Sequence, residues 1–63
     1  MKTLESLLHE AEVKRDMWHS IAHDKQALSD RGKTQDEALA ILSYFEGRVD
    51  ALRDVKQLQR HQQ

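Results

Sequence analysis

The sequence predicts an all-α protein folded as an antiparallel two-helix hairpin, with helices over about 3–30 and 35–59. Three observations carry that reading. The 63 residues contain no proline, so nothing obliges a helix to break. Apolar residues recur at steps of three and four in both halves, the helical period. Between the halves stands Ser29-Asp30-Arg31-Gly32-Lys33-Thr34. Gly32 suits the left-handed residue just past a helix end. Thr34-Gln35-Asp36-Glu37 reads as a capping box that starts the next helix at once.

In the first helix the apolar stripe is Leu4, Leu7, Leu8, Ala11, Trp18, Ile21, Ala22 and Leu28. Lys14, Arg15 and Lys25 interrupt it, although long basic stems can cover apolar surface while the charge reaches water. In the second helix the stripe is Ala38, Leu42, Phe45, Val49 and Leu52, continuing into Val55 or Lys56. Leu39, Ile41 and Tyr44 widen it to more than one face. The polar tail, about 60–63, is expected to fray.

Reflection about Gly32 pairs positions whose numbers sum to about 65 or 66, for helices rising together from the turn. Leu28 then faces Ala38, Ile21 faces Phe45 or Tyr44, Trp18 faces Gly47, and Leu7 faces Leu58. A glycine inside a helix costs about 1 kcal/mol relative to alanine, and a large indole opposite would give Gly47 a steric purpose. The expected seam is Trp18, Ile21, Phe45, Gly47, Val49 and Leu52.

A chain of this length makes a single domain and is marginal alone. It has no cysteine, so disulfides and thiolate metal sites are excluded. Packing and oligomerisation remain. Two helices bury one face each, which leaves a second apolar face. Leu8, Val13, Met17, Leu39, Ile41 and Tyr44 would stay partly exposed on it, and we expect Leu8, Met17, Leu39, Ile41 and Tyr44 to bind a partner. The simplest closure is a homodimer forming a four-helix bundle; the alternative is a helical protein partner.

Lys+Arg 10 against Asp+Glu 11 gives net charge -1, no general pull toward nucleic acid or an anionic membrane. Arg48, Arg53, Lys56 and Arg60 are the residues a nucleic-acid-binding dimer would use, but Glu46, Asp50 and Asp54 are interleaved with them. Met1-Lys2-Thr3 resembles the start of a signal peptide, yet Glu5, His9, Glu10 and Glu12 occupy its apolar core. The longest apolar run, Ala38 to Leu42, is far short of a membrane span. A soluble, cytoplasmic protein is expected.

His19 and His23 share a helical face with Asp16 one turn before, but a stable zinc site needs more ligands than this pair, so no metal is expected. Gly32-Lys33-Thr34 matches the end of a phosphate-binding loop, without its earlier glycine or preceding strand. No Ser/His/Asp set shares a buried face, and so thin a scaffold offers little concavity for a small-molecule substrate. Neither catalysis nor a cofactor is expected.

The hairpin outline is similar to several families of small helical hairpins. They include plasmid copy-number RNA-binding dimers, co-chaperones of type III secretion needle subunits and accessory proteins of temperate phage early regions. The resemblance is of shape, carries no motif, and implies an accessory or regulatory protein that acts by binding.

Overall fold

The computed structural model describes residues 2–61, apart from the His61 side chain. It is all-helical, in the order α1 (Leu4–Ala22), α2 (Lys25–Asp30) and α3 (Gln35–His61). The long α3 packs along α1, and α2 folds back at the turn end. Gln62 and Gln63, half of the tail expected to fray, lie outside the described residues.

The expected first helix is therefore two helices. It breaks at His23 and Asp24, where Asp24 is extended (φ -128, ψ 107) and its carboxylate accepts from the Gln26 and Ala27 N–H groups at 3.0 and 3.3 Å. Aspartate is among the strongest N-caps, because its short side chain reaches donors that a new helix leaves unpaired. The break also frees Lys25 from the buried stripe it would otherwise interrupt; its side chain is exposed. At the start of α1, Thr3 caps through its hydroxyl, which accepts from Ser6 N–H at 3.0 Å.

The central turn forms as the sequence predicts. Gly32 has φ +63. Lys33 N–H donates to Leu28 C=O at 2.9 Å and Gly32 N–H to Ser29 C=O at 3.1 Å, the paired bonds of a Schellman stop. The capping box follows: Glu37 N–H donates to Thr34 Oγ1 at 3.2 Å, and Thr34 N–H donates to Glu37 Oε1 at 3.1 Å.

Two small clusters make the core. Leu8 and Ala11 meet Val49, with Leu52 against them. Ile21 and Ala22 meet Ala38, flanked by Met17, Trp18, Ala27 and Leu28. Reflection about Gly32 would have set Ala11 opposite Val55 and Ala22 opposite Tyr44. The observed register is displaced by about one and a half helical turns. The cause is the break at Asp24: α1 leaves the pairing at Ala22, so the residues of α2 never enter it. Leu28 still reaches the Ala38 cluster, but from α2.

Trp18 accordingly does not cover Gly47. It packs on the Ile21–Ala22–Ala38 cluster, with the Arg31 guanidinium 5.8 Å from its ring centroid. Gly47 is exposed, and a Cβ built on it would meet nothing within 4 Å. Leu58, expected against Leu7, is exposed as well. The hairpin measures 47 × 21 × 14 Å, one helix thick in its least dimension. No helix among the described residues is long and apolar enough to cross a membrane.

Candidate functional site: the apolar flank of the hairpin

The buried row of α3 runs Ala38, Leu42 and Val49. At about 100° per residue, Ile41 and Tyr44 fall to one side of that row, and Leu39 falls to the other. The five residues expected to form one contact face are thus divided. Leu8 is only 8% exposed and belongs to the internal seam, which corrects its assignment to an outer face. Leu39, 38% exposed, stands on the opposite side of α3 from Ile41. Met17 is half-buried against the Ala38 cluster, and Ile41 is half-buried beside Tyr44.

What remains is one coherent flank. Tyr44 is 61% exposed, and its ring meets Phe45 edge-on, with centroids 5.0 Å apart and planes at 75°. Phe45 forms the floor of an open depression of about 580 Å³, completed by Lys2, His9, Glu10, Ala11, Val13 and Lys14. Val13 is half-exposed there. Sequence reasoning placed Phe45 wholly in the seam; it counted Val13 among the partly exposed apolar residues, as found, but left it off the list of contact residues.

Charge borders this flank in both signs. Lys2 Nζ donates to Glu10 Oε2 at 2.9 Å. That hydrogen bond, aided by the nearby charges of Lys2 and Arg48, holds the Glu10 carboxyl below the usual carboxylate range. Lys14 and Arg48 are both exposed.

The other flank is polar and cross-tied. Arg53 donates to Glu12 at 2.9 Å, and Lys56 lies 3.9 Å from Glu5, so both basic residues answer carboxylates across the seam. Arg60 borders a depression with Leu8, Glu12, Arg53, Lys56 and Gln57. Arg48 lies about 140° around α3 from Arg53. The four basic residues do not make one continuous patch. At the end of α1, the His19 and His23 rings meet edge-on with centroids 4.7 Å apart. Among the described residues no third His, Cys, Asp or Glu gathers with them.

No protein-family model, curated protein or solved structure matches the chain.

Proposed function

We propose that this chain is a small non-catalytic accessory or regulatory protein, an adaptor or modulator that acts by binding protein through its apolar flank. The observation that carries this reading is the exposed Tyr44, held edge-on to Phe45 beside Ile41 and the Val13 depression. Exposed aromatic side chains with a mixed polar rim are the usual composition of a contact surface. A cytoplasmic setting is part of the proposal; the lack of cysteine suits a reducing compartment.

The test is a photo-crosslinking residue placed at Tyr44 in the native host, with Asp50, exposed on the other side of α3, as the control position. Position 44 is expected to give defined protein adducts that position 50 does not. Identical products from both positions, or none from either, would overturn the reading.

A further inference from the structure

We infer that the occupant of the apolar flank is an acidic amphipathic helix of a different protein. It lies along the groove between α1 and α3, with its apolar side chains on Phe45 and Tyr44 and its carboxylates on Lys14 and Arg48. This rests on the reading of the flank as a protein-binding face and names the chemistry of what it binds.

Charge carries the inference. Residues two apart on a helix point about 160° away from each other. On α1 that step separates Lys14 from Glu12 and Asp16, and on α3 it separates Arg48 from Glu46 and Asp50. The signs alternate along the sequence but are sorted in space. Glu12 is taken up by Arg53 on the polar flank at 2.9 Å, and Asp16 by Arg15 at 3.0 Å. Among the described residues, Glu10 is the only carboxylate lining the depression over Phe45, and Lys2 already holds it at 2.9 Å. Neither Lys14 nor Arg48 has a salt bridge among the described residues. Lys2, Lys14 and Arg48 against Glu10 leave this flank positive, on a chain whose net charge is -1.

The two unpaired cations act at one place. Ala11 and Val49 are level across the seam. Lys14 and Arg48 then lie about 3 Å apart along the hairpin axis, one on each wall of the groove, and Phe45 comes level with Lys14. A carboxylate that enters beside Phe45 meets both. A second copy presenting the same flank brings the same cations, which repel. A nucleic acid needs a run of phosphate contacts, and Arg53 and Lys56 answer carboxylates on the other flank.

The groove also selects a helix. Its walls are helices, and the described residues include no strand edge to which an extended segment could add. An extended segment would lie on Phe45 with its own N–H and C=O groups unpaired. A helix pairs them internally and presents one apolar face to the groove.

Selection from a displayed library of random peptides about 18 residues long, five helical turns, tests this on the immobilised chain. The enriched sequences are expected to carry Asp or Glu beside apolar residues at helical spacing. Lys14→Glu and Arg48→Glu, both at exposed positions, should each weaken those peptides by at least about tenfold. The double variant, its fold checked by circular dichroism, should select peptides bearing Lys or Arg instead. Leu39→Glu, on the opposite flank, should leave binding unchanged. Enrichment of neutral or basic peptides by the wild type, no enrichment, binding indifferent to both charge reversals, or binding lost in Leu39→Glu overturns the inference. So does a wild-type dimer in sedimentation equilibrium that Tyr44→Glu dissociates, which gives the flank to a second copy. Retention of a single-stranded oligonucleotide that the charge reversals abolish also overturns it. If position 44 still cross-links a defined protein while no acidic peptide is enriched, the protein-binding reading stands and the acidic helix falls. If adducts and peptides both fail, both fall.

Discussion

The Gln35 side-chain amide donates to the main-chain carbonyl of Ala22 at 3.1 Å, tying the first residue of α3 to the last residue of α1. The bond spans the whole of α2 and both turns. It supplies a donor to one of the carbonyls that a helix C-terminus leaves without an intrahelical partner. The same point fixes the register, because Ala22 packs on Ala38 one turn further along.

Gln35→Ala removes that donor while keeping a good helix former. A hydrogen bond of this kind contributes about 1 kcal/mol net, equivalent to a fall in Tm of about 4–8 °C for a domain of this size. Thermal unfolding followed by circular dichroism at fixed protein concentration checks it. An unchanged Tm would mean that water serves the Ala22 carbonyl equally well and that the clasp adds nothing.

The two glycines should respond in opposite directions. Gly47 is an exposed helical residue with open space where a Cβ would stand, so Gly47→Ala should stabilise by up to about 1 kcal/mol. Gly32 has open space too, but its φ of +63 strains any L side chain, and Gly32→Ala should cost about 1–2 kcal/mol. Urea titration of both variants measures the two signs. A destabilising Gly47→Ala would show that something packs on that face of α3.

These contrasts show what was legible in the sequence. The stop at Gly32 and the start at Thr34 were readable because each uses a complete local signal: a glycine where φ must be positive, and a Thr–Glu pair at capping-box spacing. The break at Asp24 was harder. Asp24 is a good N-cap residue, but the N3 position holds Ala27 rather than Glu or Gln, so half the box is missing. The period-3.6 stripe also runs through the break, since Ile21 and Leu28 are seven residues apart. Missing that break displaced the register of α1 against α3, although Leu28 still reaches the Ala38 cluster from α2. The widened apolar face of α3 was legible, but the side on which each residue falls depends on the buried row, which only packing defines. Leu39 and Ile41 were therefore grouped although α3 separates them.

Acid should loosen the start of α3. The Glu37 carboxylate accepts from the Thr34 backbone N–H and from its hydroxyl, and the charge of Lys33 adds to them. These hold its pKa below the usual carboxylate range. A depressed folded value means that the stabilisation is fully present above the unfolded pKa and is lost as pH falls through the folded one. Glu37→Gln should therefore lower the Tm at neutral pH, and the gap to wild type should close once both side chains are uncharged in acid. A gap that persists in acid would place the role of Glu37 in geometry rather than in charge.

Asp24 carries the last prediction. Its carboxylate serves two donors at the start of α2, a helix of only 6 residues that has no buried residue of its own. Short helices are not stable in isolation, so the cap and the contacts of Ala27 and Leu28 with the Ala38 cluster must hold it. Asp24→Ala should cost about 0.5–2 kcal/mol, the range for losing an N-cap. Alanine is also the best helix former, which invites α1 to run on through the break. Continuation would carry Ala27 and Leu28 away from Ala38 and return Lys25 to the stripe, so packing opposes it. Amide exchange should therefore quicken across Lys25–Asp30 while Leu4–Ala22 and the main body of α3 stay protected. A variant that becomes one continuous helix from Leu4 to Asp30, with undiminished stability, would show that Asp24 alone creates the break and that α2 contributes nothing to the core.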